Sequence, residues 1–203
     1  MSGPLDALRR KYQDHVPGLM GARRSYAVLC PFLELPRETR LLFEVRAADL
    51  RQGGEVCFPG GRMEPGETPA ECALRETEEE LSIPRAEVTL LGTPDFICNP
   101  RGFLLQPVLG RVSPAGLAAL RPSPAEVAEA FTIPLAFLRE TPPEVWSYAL
   151  APQVPEDFPY ERVGIPRDYP WAAGRVEVPV WHFRGHVLWG MTARITWDIV
   201  RTF

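Results

Sequence analysis

The stretch F-P-G-G-R-M-E-P-G-E-T-P-A-E-C-A-L-R-E-T-E-E-E-L-S-I-P, residues 58–84, constrains this chain more than any other. It carries its own start and stop signals. Met63-Glu64-Pro65-Gly66 reads as a turn, with Pro and Gly suited to the central positions of type II. Thr68 is placed to cap a helix N-terminus, Pro69 fits the first helical position, and Glu71 completes a capping box. The spacing predicts a helix from Pro69 to about Leu81, with Pro84 just past its end. Ala70, Ala73, Leu74, Thr77 and Leu81 form the expected inward stripe.

Seven glutamates and one base, Arg75, fall between Glu64 and Glu80. At 3.6 residues per turn, Glu76, Glu79 and Glu80 share one helix face, whereas Glu78 points elsewhere, to solvent. Like charges at this spacing cost about 0.2–0.5 kcal/mol per pair. Water tolerates that cost. In a cleft the repulsion grows unless a cation offsets it, and Mg²⁺ favours carboxylates, water and phosphate oxygens.

The flanks supply the rest of a fold. Residues 4–14 read as a short amphipathic helix. Residues 25–35 and 39–47 read as strands joined by a hairpin-sized link, and 54–58 as a third strand running into Pro59-Gly60-Gly61. Two more strands are expected over 87–98 and 104–112, joined through Asn99–Gly102. A short helix follows Pro114, then a strand over 127–135, a helical turn, and a strand over 144–150. Residues 151–174, with five prolines, read as a long loop. A hairpin turning at Arg184-Gly185 and an amphipathic helix over 190–202 close the chain. Short strands mixed with few helices suggest an α+β or α/β sandwich with a mixed sheet.

At 203 residues and 45% apolar, one domain spanning 1–203 is the default. The net charge of −4 argues against nucleic acid held by charge alone. No apolar run approaches the ~20 residues that span a bilayer, and the charged N-terminus does not read as a secretory signal. Cys30, Cys57, Cys72 and Cys98 form no C-x-x-C pair and are expected to be buried free thiols, which fits a reducing cytoplasm. Lys11 is the only lysine, so nearly all positive charge is arginine, suited to forked contacts with phosphate.

Gly61, five residues, Glu67, seven residues, then Arg75-Glu76-Thr77-Glu78-Glu79-Glu80-Leu81-Ser82-Ile83 resembles the Nudix box, G-x5-E-x7-R-E-U-x-E-E-x-G-U with U apolar. Thr77 stands at an apolar position. Ser82 replaces a glycine and has to take a left-handed cap conformation at a cost of about 1 kcal/mol. The resemblance implies a Nudix-type α/β/α sandwich with a mixed central β-sheet. It also implies a hydrolase of nucleoside diphosphates linked to another moiety, acting with Mg²⁺ (or Mn²⁺). Carried onto this chain, Glu76, Glu79 and Glu80 hold the metal, and a carbonyl of Gly60 or Gly61 can add a ligand. Arg75 and Glu67 pair to orient the cluster. The general base stays open between Glu76 and a carboxylate outside the box, such as Glu126 or Glu129.

Residues 41–61, L-L-F-E-V-R-A-A-D-L-R-Q-G-G-E-V-C-F-P-G-G, resemble the segment marking coenzyme A pyrophosphatases. Ala47 and Phe43 depart from its usual Ser and Thr, and the spacer before Gly54 is short. Leu188–Ile195 and Glu126–Leu138 resemble later segments of the same subfamily. This implies coenzyme A or acyl-CoA as substrate, with Arg46, Arg51, Phe58 and Pro59 as candidate substrate contacts. Alternatives are ADP-ribose, NADH or nucleoside triphosphates, and, in another class, a nucleotide sensor without catalysis. The full set of box glutamates favours catalysis. A small-molecule nucleotide is the expected partner, and a homodimer is possible. Trp189 is expected in the core rather than stacked on a base. His182 and His186 sit on opposite arms of a hairpin, a poor metal pair.

Overall fold

A computed structural model of the chain describes residues 3–15, 18–21 and 24–202. Helix α1 (Pro4–Tyr12) precedes the hairpin β1 (Arg24–Leu35) and β2 (Glu38–Arg46). Short strands β3 (Val56–Cys57) and β4 (Gly60–Arg62) lead into α2 (Pro69–Leu81). Strands β5 (Val88–Gly92), β6 (Ile97–Asn99) and β7 (Phe103–Val112) follow, then α3 (Pro114–Ala119), β8 (Val127–Pro134) and α4 (Leu135–Glu140). The chain ends with β9 (Glu144–Leu150), α5 (Tyr160–Val163), β10 (Gly174–Phe183), β11 (His186–Leu188) and α6 (Gly190–Val200).

The main sheet is mixed, ordered β3-β2-β1-β7-β5, with β8 on β2, β4 on β1 and β6 on β7. β1 and β7 run parallel over Arg24–Leu33, and its other pairings are antiparallel. Parallel neighbours need cover on both faces, and β1 has it. Ala27 and Leu29 pack with Cys72 and Ala73 of α2 and with Val108. Cys30 and Phe32 face the opposite way, into a larger core with Leu41, Phe43, Ile133, Trp181, Leu188, Ile195 and Ile199. The protein is thus a helix–sheet–helix sandwich, with α2 on one face and α4 and α6 on the other. A second sheet, β11-β10-β9, carries Trp181 and Leu188 into the same core.

Several expectations needed correction. The strand expected over 54–58 shrinks to Val56–Cys57, because residues 47–54 coil through successive turns with Gln52 and Gly54 at positive φ. After Pro59 the chain forms a further strand not expected from the sequence, Gly60–Arg62, which pairs with Val28–Tyr26. The strand expected over 87–98 breaks into β5 and β6 around Pro94, which lacks the N–H a ladder needs. Cys98 is exposed because Ile97 takes the inward position of β6, and Cys57 is only half-buried; Cys30 and Cys72 are buried as expected. Trp189 is 45% exposed at the N-terminus of α6, and Trp181 is the core tryptophan, its Nε1 donating to the Thr141 carbonyl at 2.7 Å. Residues 151–173 form the long connection of the β9–β10 hairpin. They contain α5 and an aromatic cluster in which Trp171 packs edge-on to Phe158 and Tyr169. Among the described residues, no helix is long and apolar enough to cross a membrane.

Candidate active site

The local chemistry of α2 sets the site. The turn before it closes with Glu67 N–H donating to the Glu64 carbonyl at 3.1 Å, and Gly66 takes the positive φ that type II requires. Thr68 Oγ1 accepts from Glu71 N–H at 3.3 Å, and Thr68 N–H donates to Glu71 Oε2 at 2.8 Å. At the other end Ser82 adopts φ 58° and ψ 22°, and its hydroxyl donates to the Arg121 carbonyl at 3.0 Å. That bond offsets part of the cost of a left-handed serine. The buried side of α2 is Cys72, Ala73, Thr77, Glu80 and Leu81, so the stripe is rotated from the expected one and takes a glutamate inward.

Arg75 organises one side of the site. Its Nε donates to Glu67 Oε1 at 2.9 Å, and Nη1 lies 2.8 Å from Glu76 Oε1 and 3.0 Å from Glu79 Oε2. The Arg75 hydrogen bond, with help from the Glu64 N–H, holds the Glu67 carboxyl down to about 2. Those same carboxylates hold Arg75 firmly protonated.

The other side is crowded with buried acid. The Glu76 carboxylate lies directly against Gly61, in space that a Cβ there would fill. Glu80 is 3% exposed, and its Oε2 accepts the Gly60 N–H at 2.8 Å. Glu44, the cross-strand partner of Cys57, is fully buried. Its Oε1 accepts from Cys57 Sγ at 3.3 Å, and its Oε2 has no partner. Burial pushes all three carboxyls up. The charge of Glu44 pushes Glu80 up further, and Glu126 adds repulsion to each of the three.

Uncompensated buried carboxylates are costly, and a hard divalent ion is the group this oxygen-rich donor set suits. Glu44 Oε2 is buried without a partner, and Glu44, Glu76 and Glu80 are all raised by burial. Among the described residues, no three His, Cys, Asp or Glu side chains yet converge as a ligand shell. Glu79 is turned to Arg75 and Glu80 to Gly60, so ligation requires both carboxylates to swing.

The sequence candidates divide accordingly. Glu67, Arg75, Glu76, Glu79, Glu80, Gly60 and Gly61 are brought together. Gly60 contributes its N–H, and the Gly61 carbonyl faces Cys72 Sγ at 3.6 Å. Phe58 is corrected as a substrate contact, because its ring is buried and stacked on Phe43 at a centroid distance of 4.8 Å. Pro59 is buried too, and its carbonyl accepts the Leu29 N–H at 2.9 Å. Arg46 ends β2 on the side of Glu44, where its charge favours the ionised carboxylate, and Arg51 is exposed on the following turn. Glu126 is exposed beside the cluster. Glu129 pairs instead with His186 at 3.2 Å, and His186 stacks on Phe131, so no His182–His186 metal pair forms. Sequence reasoning missed Glu44. Its signal is an acid inside the run L-L-F-E-V, in a strand covered on both faces.

The NUDIX domain model matches residues 23–152. The mitochondrial coenzyme A diphosphatase NUDT8 of Homo sapiens is 33% identical over 175 residues, covering 85% of this chain and 66% of that protein. An uncharacterized Nudix hydrolase, NudL of Photorhabdus laumondii, is 34% identical over 174 residues, covering 85% and 81%. Among solved structures, the Nudix hydrolase RenU of M. smegmatis aligns with a TM-score of 0.50 at 22% identity, over 59% of this chain and 75% of that one. A MutT/nudix family protein of Enterococcus faecalis aligns with a TM-score of 0.50 at 14% identity, over 99% and 70%.

Proposed function

The chain belongs to the Nudix family, and from that premise we propose that this pyrophosphohydrolase cleaves the diphosphate of coenzyme A or acyl-CoA. The products are 3′,5′-ADP and 4′-phosphopantetheine or its acyl form. The observation that carries the substrate is the 33% identity to a protein named a coenzyme A diphosphatase, spread over 85% of this chain. Arg46, the last residue of β2, and Arg51, on the loop that leads to β3, support it as forks for a nucleotide 3′-phosphate.

In this reading Glu76, Glu79 and Glu80 hold the divalent ion, Mg²⁺ or Mn²⁺. When bound, that ion offsets diphosphate charge and acidifies the attacking water. Arg75 and Glu67 keep the carboxylates aligned. Gly61 leaves room for Glu76, and the Gly60 N–H orients Glu80. Glu126 is the better placed of the two outside carboxylates to take a proton, since Glu129 is engaged by His186. The shared core of β1, β2, β10 and α6 supports one domain over 1–203. The exposed free thiol of Cys98 supports a reducing compartment, the cytoplasm. Strand β9, an edge strand whose Val145, Trp146 and Tyr148 are exposed, supports a homodimer.

The test is a substrate panel with Mg²⁺, read by the phosphate-containing products. Coenzyme A is expected to exceed dephospho-CoA in kcat/KM by about 5- to 150-fold, because loss of the 3′-phosphate strands arginine charge worth about 1–3 kcal/mol. Equal efficiency removes the 3′-phosphate contact, and preference for ADP-ribose removes coenzyme A as the substrate.

A further inference from the structure

We propose that β9 pairs antiparallel with β9 of a second copy of this chain, about a two-fold axis through Ser147, so that the two β11-β10-β9 sheets join into one. The inference rests on the homodimer reading and deepens it by assigning the surface, the partner strand and the register.

Four observations carry it. First, β9 is an edge. It pairs on one side with β10, unbroken from Leu150–Gly174 to Glu144–Val180, and no main-chain hydrogen bond from another described residue reaches its outer side. The devices that usually protect an edge are missing, since Glu144–Leu150 holds no proline, lysine or bulge. Second, Pro179 fixes which main-chain groups face out. It stands opposite Val145 and has no N–H to donate, so the hydrogen-bonded pairs with β10 fall on Glu144, Trp146, Tyr148 and Leu150. The N–H and C=O groups of Val145, Ser147 and Ala149 therefore point outward. Third, that edge is self-complementary. With Ser147 opposite Ser147 of the second copy, Val145 stands opposite Ala149, and every residue of the strand is paired. Trp146 meets Tyr148 and Glu144 meets Leu150, so no like charges are opposed. Fourth, the face that carries the aromatics is open and apolar. Trp146 is 66% and Tyr148 53% exposed, and their neighbours on β10 are Val178 and Val176. Pairing sets two Val-Trp-Tyr-Val rows side by side across the axis. It also consumes both edges, so assembly closes at two copies. At half exposure, aromatics that bury about 150–250 Å² each supply roughly 300–500 Å² for the four involved, below the ~1,200 Å² of a standard interface, so the dimer is expected to dissociate on dilution.

The experiment measures the mass of the full-length protein by sedimentation velocity from about 1 to 100 μM, the range in which a weak interface dissociates. The wild type is expected to show a monomer–dimer equilibrium. Ser147→Pro removes the outward N–H at the axis while sparing the bonds to β10, and should be monomeric at every concentration. Trp146→Ala combined with Tyr148→Ala should weaken association at least about tenfold. Crosslinking reads the register. Residues of a hydrogen-bonded pair lie about 5.5 Å apart at Cα, so in a Cys98→Ser background Ser147→Cys should join to its own copy through a short bis-thiol reagent. Ala149→Cys, which stands opposite Val145, should not. A wild type that is monomeric throughout overturns both this pairing and the homodimer. A dimer that survives Ser147→Pro, or that crosslinks at Ala149→Cys and not at Ser147→Cys, overturns the pairing and leaves a homodimer formed through another surface. If Ser147→Pro fails to fold, unchanged association in the alanine double variant, or no crosslink at Ser147→Cys, overturns the pairing in its place.

Discussion

Replacing Gly60 and Gly61 separately by alanine should break two different things. Gly60 sits at φ 151°, and a Cβ on it would come 2.6 Å from Val28 Cα and closer still to the Ala27 carbonyl oxygen. Those are backbone atoms of the central strand and cannot rotate away. Overpacking of this kind costs about 1–3 kcal/mol, and a strained φ adds a similar amount. Gly60→Ala should therefore lose about 3 kcal/mol or more, a fall in Tm of roughly 6–12 °C for a domain of this size. Gly61 carries no such φ, and the three atoms nearest its Cβ all belong to the Glu76 carboxylate, with Oε2 at 2.6 Å and Oε1 closer still. Ordinary contact begins near 3.4 Å. The carboxylate, at the far end of a flexible side chain, would retreat by about 1 Å, with about 1 kcal/mol or less lost in stability. A displacement of that size in a positioned group costs on the order of 100-fold in rate. The assays are thermal melts of the metal-free proteins and kcat at saturating Mg²⁺. Gly61→Ala with full turnover, or with a Tm loss as large as that of Gly60→Ala, would refute the idea that Gly61 is small for the sake of Glu76.

Glu79→Gln and Glu80→Gln should each lower kcat by about 100- to 1000-fold with the fold intact by circular dichroism; near-normal turnover at saturating Mg²⁺ would falsify the ligand assignment. Metal-free stability should fall as pH rises above 4.5, the ordinary glutamate value, because Glu44 and Glu80 are raised and the folded state binds more protons than the unfolded one. Added Mg²⁺ should flatten that slope, and a metal-free Tm that climbs over the same range would contradict it. Glu67 works in the opposite sense: its lowered carboxyl stabilises the fold above 4.5 and loses that contribution as pH falls toward 2, so Glu67→Gln should be less acid-sensitive than the wild type. Replacing residues 153–172 by a short Gly-Ser link should raise KM or dissociate a dimer; unchanged kinetics and mass would mark the segment as passive.

What was legible in the sequence was what local chemistry dictates. Thr68, Pro69 and Glu71 announce a helix start whatever the rest of the chain does, and the observed cap uses each of them. Ser82 had to be left-handed because the helix ended there, and it is. The strands of the β1–β2 and β10–β11 hairpins could be read from short-range pattern alone. The misreadings share another cause, the nonlocal packing of the central sheet. Gly60–Arg62 lacks any strand propensity and becomes a strand only because β1 offers an open edge to glycines. Phe58 looked like a ligand contact beside the glycines, yet the pleat directs it into the core against Phe43.

The site was half legible for the same reason. Helical spacing alone aligns Glu76, Glu79 and Glu80, but it does not say which of them will be wet. The sheet decides that: Glu79 stays in solvent with Arg75, while Glu80 is driven under the Gly60 loop. There it meets Glu44, a residue 36 positions earlier, on a strand that looks purely structural. The two carboxyls, out of water, repel each other, and the Arg46 charge on the Glu44 side offsets only part of the cost of burial. Arg75 is held by Glu67, Glu76 and Glu79, on the other side of the cluster. The fold therefore gathers carboxyls raised toward their neutral form where α2, β2 and β4 converge. A divalent ion held by Glu76, Glu79 and Glu80 would offset the repulsion among these carboxyls, so metal-free protein should be more stable with added Mg²⁺ near neutral pH, and an unchanged Tm would contradict that.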